Sequence, residues 1–203
     1  CKAMGIQVLG PDVNESILKF SVDKDKNIRF GLGAVKGVGE SAVQNIIEER
    51  KKNGPYKSIF DFVERVNLTA CNKKNIESMA LAGAFDNFSI QREQFFADNG
   101  KGELFLDTLV RYGNKYQMDK STAANSLFGG DALIAIAKPE IPQCERWSDL
   151  ERLNKEKELV GIYLSAHPLD EYRIILKYVC NTGMIELNER ETLQGREVLL
   201  GGI

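Results

Sequence analysis

The residues of this sequence best suited to chemistry form one glycine-rich stretch, Phe30-Gly31-Leu32-Gly33-Ala34-Val35-Lys36-Gly37-Val38-Gly39-Glu40-Ser41. Spacing excludes two nucleotide chemistries. A dinucleotide fingerprint needs G-x-G-x-x-G inside a strand-helix-strand unit, but Gly31, Gly33 and Gly37 give G-x-G-x-x-x-G without that unit around them. A phosphate-binding P-loop needs Gly-Lys-Ser/Thr, but Lys36 precedes Gly37 and no hydroxyl follows it. What remains is a turn followed by an amphipathic run. Gly37 and Gly39 are read as positions of positive φ and close approach, Val38 as an apolar plug, and the amides around Gly39 and Ser41 as outward-facing donors of a helix start. Donors at the positive end of a helix dipole, with Lys36 beside them, suit one backbone phosphate. Such contact reads phosphate position and not base sequence, so it is weakly specific and salt-dependent. The same pattern also describes a tight turn whose glycines only pack, and the residues leave both readings open. Glu40 favours the helix dipole yet sits where a phosphate would.

Together these features resemble the second half of a helix-hairpin-helix motif, with Lys36, Gly37, Val38, Gly39 and Ser41 as candidate contacts to nucleic-acid backbone. A degenerate second copy follows about 45 residues on. There a helix ending near Leu81 leads into Ala82-Gly83-Ala84, with Phe85 as plug and a further helix after Asp86; Gly83 and Ala84 are its candidate contacts. A tandem pair would face the two strands of one duplex.

Little else offers catalytic or metal chemistry. Cys1, Cys71, Cys144 and Cys180 lie far apart without a C-x-x-C pair, and His167 is the one histidine, so neither a zinc site nor a disulfide framework is expected. No acidic cluster suits two metal ions. His167 before Pro168 reads as a turn residue, Glu48 to Lys52 as a solvated face, and Phe60, Phe62, Phe95 and Phe96 as core. Lys73 and Lys74, at a helix start, are further cations within reach of a nucleic-acid backbone.

The elements that position these residues are mainly helical. Leu18, Phe20 and Val22 alternate toward the charged tip Asp23 to Asn27 and return through Ile28 to Phe30, which predicts a β-hairpin. Glu40 to Lys52 reads as a helix stopped at Gly54-Pro55, Ser58 and Asn72 as caps of the next two, and Ser89 to Ala97 as a fourth. From Asp98 to Arg146 only Glu103 to Tyr112 reads as helical, within a polar, glycine- and proline-bearing connector expected to be partly mobile. Ser148 then caps a helix closing near Gly161, Tyr172 to Val179 is helical again, and the last twenty residues read as β. The expected architecture is therefore mainly α: a small N-terminal β-hairpin, a tandem helix-hairpin-helix domain, the connector and a C-terminal α/β segment. Composition agrees with an ordinary globular chain. Of 203 residues, 43% are hydrophobic and 28% charged; a net charge of −2 gives no broad positive field, so any polyanion must be held locally. Neither a membrane span nor a leader of signal type is visible, and a cytoplasmic location is expected. Opening on Cys1 and closing on the apolar run to Ile203, the chain reads as a piece of a larger protein.

Four ordered stretches, Met4 to Ser16, Ile28 to Gly39, Ala82 to Asp86 and Gly161 to Leu169, resemble the alpha subunits of bacterial DNA polymerase III. The resemblance covers nearly the whole chain. It implies that residues 1–30 end the fingers, that 31–97 form the tandem helix-hairpin-helix domain gripping duplex DNA, that 98–146 form the connector, and that 147–203 lead into a truncated OB-fold. The family's nucleotidyl transfer uses palm aspartates and magnesium, both expected outside this chain, which would then hold no catalytic residue and be inactive alone. The resemblance also implies contact with the sliding clamp through Ser126, Leu127 and Phe128, two apolar side chains of an extended peptide entering a groove. Ala124 stands there in place of the family's usual glutamine. Other replicase subunits are further implied partners, and no membrane is. An interaction scaffold that binds no DNA, and the same region of an error-prone translesion relative, are the alternatives.

Overall fold

A computed structural model describes residues 5–125, 137–182, 193–195 and 197–202. In chain order it contains β1 (Val8–Leu9), β2 (Ser21–Val22), β3 (Ile28–Arg29), α1 (Glu40–Asn53), α2 (Ile59–Arg65), α3 (Lys73–Leu81), α4 (Phe105–Asn125), α5 (Asp149–Val160) and α6 (Arg173–Tyr178). Short 3-10 turns lie at Leu32–Ala34, Arg92–Phe96 and Pro168–Asp170. The described residues are mainly helical with a small N-terminal sheet, as the sequence predicts. They divide into one compact unit up to Leu164 and another from Ser165 onward.

In the first unit β2 and β3 pair antiparallel, the expected hairpin, and β1 adds to β3 in parallel with Val8 opposite Ile28. A two-residue strand is too short to show alternation, which is why β1 is not visible in the sequence. The turn residues behind it are stitches. Ser16 Oγ donates to the Phe30 carbonyl at 2.7 Å, and Asn14 exchanges hydrogen bonds with the Tyr56 backbone at 2.9 and 2.8 Å. Arg50 Nη1 donates to the Val13 carbonyl at 2.6 Å, and burial lowers its pKa, so the charged run 48–52 is only in part a solvated face.

The helices form where caps and apolar spacing coincide. Ser58, Asn72 and Ser148 each accept the amide three residues on, those of Asp61, Asn75 and Glu151. Their apolar faces meet around Phe62, Phe85 and Phe95, all buried, with ring centroids 5.1 Å and 5.7 Å from Phe85. The helix expected over Ser89 to Ala97 is instead the 3-10 turn Arg92–Phe96. Arg92 and Phe95 both point inward, and at three residues per turn positions i and i+3 eclipse on one face.

α4 runs to Asn125, well past the Tyr112 at which the apolar pattern stops. The extension is largely polar, with Lys115 and Lys120 facing water and Met118 exposed beside them, and it is held at Gln117, whose Nε2 donates at 2.8 Å to the carbonyls of both Val63 and Val66 at the end of α2. A side chain thus satisfies helix-end carbonyls that propensity alone would leave to solvent.

In the second unit His167 caps the turn Pro168–Asp170, its Nδ1 accepting the Leu169 amide at 3.2 Å, the turn role expected of it. The Asn181 backbone and side chain bond Leu199 at 3.1 and 2.8 Å. The described residues of the tail contain no strand; 183–192, 196 and 203 lie outside the described residues.

Gln117→Ala should lower stability by about 1 kcal/mol, the ordinary worth of a lost hydrogen bond. Gln117→Glu, which offers no donor to the two carbonyls, should lower it at least as far at pH 7. Urea midpoints measure both; a Glu variant as stable as the parent would mean those bonds are not made.

Candidate nucleic-acid interface

The first glycine turn is held by its backbone from both sides. Gly37 has φ +86, and a Cβ there would stand 2.8 Å from Ser78 Oγ of α3. Asn75, also on α3 and buried, donates its Nδ2 to the Gly37 carbonyl at 3.0 Å. The Lys36 amide donates to the Leu159 carbonyl of α5 at 2.9 Å, and Val38 is 8% exposed, the plug that its type and place predict. Lys36, Gly37, Gly39, Glu40 and Ser41 are exposed.

Gly39 departs from expectation. Its φ is −77, it is the N-cap of α1, and a Cβ there would meet nothing within 4 Å. Backbone geometry therefore requires glycine at Gly37 and not at Gly39. What Gly39 lacks is a cap: no side chain accepts the first amides of α1, whereas Ser58, Asn72 and Ser148 do so for α2, α3 and α5. The start of α1 consequently combines uncapped amides, the positive dipole end and the Lys36 side chain, which forms no ion pair among the described residues. Glu40 Oε1 accepts from Gln44 Nε2 at 3.2 Å, an exposed bond along α1.

The second turn is built differently. The Gly83 amide donates to the Ala80 carbonyl at 3.1 Å and the Ala84 amide to Met79 at 2.9 Å, the two bonds that close a helix C-terminus in a Schellman motif. The Ala84 carbonyl accepts from Val13 at 3.1 Å, and a Cβ on Gly83 would collide with Arg92. Gly83 and Ala84 are buried, so neither presents the free amide that the sequence pattern suggests; the donors are consumed in capping α3. Phe85 is the expected plug at 2% exposure, but the further helix after Asp86 is absent and the chain reaches Arg92 without one.

Arg92, Asn75, Glu156 and Leu159 are the residues that motif reading misses. Arg92, 7% exposed, binds Asp86 through Nε and Nη2 at 2.9 and 2.6 Å and Glu156 through Nη1 at 2.9 Å. Burial would lower the guanidinium pKa, but the hydrogen bonds and charges of Asp86 and Glu156 outweigh it and raise it. An arginine six residues after a turn aspartate carries no periodic signal, and Glu156 and Leu159 lie more than sixty residues away. Lys73 and Lys74 are engaged by Asp107 and Glu77, so neither is a free cation. Ser126, Leu127 and Phe128 lie outside the described residues. Among the described residues no three His, Cys, Asp or Glu side chains gather to hold a metal ion, so magnesium has no fitting donor set there.

Residues 5–95 match the family described as "Helix-hairpin-helix motif". The chain is similar to proteins named DNA polymerase III subunit alpha. It is 36% identical over 193 residues to that of Vibrio cholerae, covering 93% of this chain and 16% of that protein. The Treponema pallidum protein is 40% identical over 185 residues, covering 90% and 15%, and the Mycobacterium leprae protein 34% identical over 209 residues, covering 100% and 17%. The chain thus spans about a sixth of the length of these relatives.

Gly37→Ala should destabilise the fold by about 1–2 kcal/mol, since it forces a side chain into positive φ against Ser78. Gly39→Ala should cost less, about 0.5 kcal/mol, the difference between glycine and alanine as N-caps. Paired thermal melts measure the difference; equal losses would contradict the assignment of separate roles to the two glycines.

Proposed function

We propose, for a chain that belongs to the DNA polymerase III alpha subunits and carries their helix-hairpin-helix region, that it grips the sugar-phosphate backbone of duplex DNA without reading sequence. The observation that carries this is the exposed, uncapped start of α1 beside Lys36. Three to four backbone donors converge there at the positive dipole end, and one lysine adds a full charge. A net charge of −2 does not oppose this, because the attraction is local and partial. Gly39, where side-chain geometry would allow any residue, suits close approach by a phosphate: a larger residue would stand between ligand and amides.

Phosphate contact is confined in this proposal to Lys36, Gly37, Gly39 and Ser41, with Val38 holding the turn from inside. Gly83 and Ala84 support it from the core. The whole protein is proposed to be a DNA-directed DNA polymerase of replication, acting in the cytoplasm, with its magnesium and catalytic aspartates outside this region, which serves a non-catalytic, duplex-holding role. Contact with the sliding clamp through Ser126, Leu127 and Phe128, directly after α4, is a further part of the proposal, as is contact with other replicase subunits. The buried second turn favours one competing reading, a scaffold in which both turns only pack.

Lys36→Glu should weaken binding to duplexes of any sequence about tenfold or more, with a shallower dependence on salt, as loss of a phosphate contact requires. Gly39→Asp should raise thermal stability by about 0.3 kcal/mol by capping α1, yet weaken duplex binding. Fluorescence anisotropy across a salt series measures both; unchanged affinity in the two variants would favour the scaffold. Leu127→Ala with Phe128→Ala should abolish clamp binding and leave duplex affinity unchanged, read by surface plasmon resonance on immobilised clamp; retained clamp binding would remove that part of the proposal.

A further inference from the structure

α5 touches both glycine turns, although it lies beyond the residues 5–95 that carry the motif match. At its C-terminal end the carbonyl of Leu159, one of the last four that no intrahelical amide can satisfy, accepts the Lys36 amide at 2.9 Å. One turn earlier Glu156, 1% exposed, accepts from Arg92 Nη1 at 2.9 Å and from the Leu164 amide at 2.9 Å. Arg92 in turn covers the Gly83 turn and binds Asp86. A single helix therefore joins the backbone of the first turn to the side chain that seals the second.

The charge balance makes Glu156 the decisive member. Asp86 is half-exposed, with 48% of its side chain accessible, so water screens its pull on Arg92; Glu156 is the carboxylate that meets the guanidinium away from water. Removing one partner of a buried pair leaves an uncompensated charge, which the structure relieves by letting water in between the two elements. Here those elements are α5 and the segment carrying Arg92, and their separation would draw the Leu159 carbonyl away from Lys36.

We propose that Glu156 is a positioning residue for the phosphate-facing turn: by fixing α5 against Arg92 it sets the place of the Leu159 carbonyl and so orients Lys36 and the start of α1. This rests on the duplex-binding reading above for its purpose, though not for its geometry.

The test is amide hydrogen exchange and duplex affinity of the full chain with Glu156→Ala and Glu156→Gln. In Glu156→Ala, exchange at the Lys36 amide should speed up at least about tenfold while the α1 core amides of Ile46 and Ile47 keep their rates, a local opening. Duplex affinity should fall at least about threefold, with the protein still folded. Glu156→Gln keeps one acceptor oxygen and should lie between parent and Ala, which also covers the case in which the Ala variant does not fold. Unchanged Lys36 exchange in Glu156→Gln, or exchange rising equally at Lys36, Ile46 and Ile47, would overturn the proposal and mark Glu156 as a residue of general stability. A parent chain that fails to bind duplex DNA would instead overturn the functional reading, while the exchange pattern would still decide the role of Glu156.

Discussion

A guanidinium buried to 7% exposure has to be answered by carboxylates, and the first unit is arranged around that demand. Arg92 reaches its place only because Gly83 has no side chain in the way, and it stays ionised because Asp86 and Glu156 receive it. The same three groups belong to the end of the α3 turn, the 3-10 segment and α5. Burying an ion pair adds little net stability over an apolar pair of equal volume, but it tolerates far fewer arrangements. Its effect is therefore on placement: α3, the 3-10 segment and α5 meet in one register.

Two glycines in one turn do different work. Gly37 answers a backbone need, since φ is positive and Ser78 fills the space a Cβ would take. Gly39 answers no backbone need; it leaves the start of α1 uncapped where three other helices spend a serine or asparagine on the same position. The difference between the turns at Gly37 and Gly83 follows the same logic. In one the amides precede a helix and point out, and in the other they follow a helix and are used to close it.

Much of this was legible in the sequence, and what escaped did so for physical reasons. Caps at Ser58, Asn72 and Ser148 are local, so residue type and a three-residue spacing reveal them. The plugs Val38 and Phe85 are apolar residues inside polar turns and stand out likewise. The Gly37 and Gly83 patterns look alike because a glycine motif records backbone shape, not which side of the turn the next helix lies on. Arg92, Asn75, Glu156 and Leu159 are invisible: the contacts that join them to other elements are tens of residues away in sequence, and the Leu159 contact uses a carbonyl that every residue has. The second half of α4 leaves no apolar signal, because it is held by a polar side chain, which apolar periodicity does not register.

That second half has a mechanical consequence. Beyond Gln117 the helix continues for eight residues to Asn125, about 12 Å at the 1.5 Å rise of an α-helix. Since a helix resists bending over two turns, this stretch acts as a spacer: whatever engages the chain immediately after Asn125 is set that distance along the helix axis from Gln117. The hydrogen bonds of the glutamine at its base thus serve two ends at once, seating the spacer and closing α2.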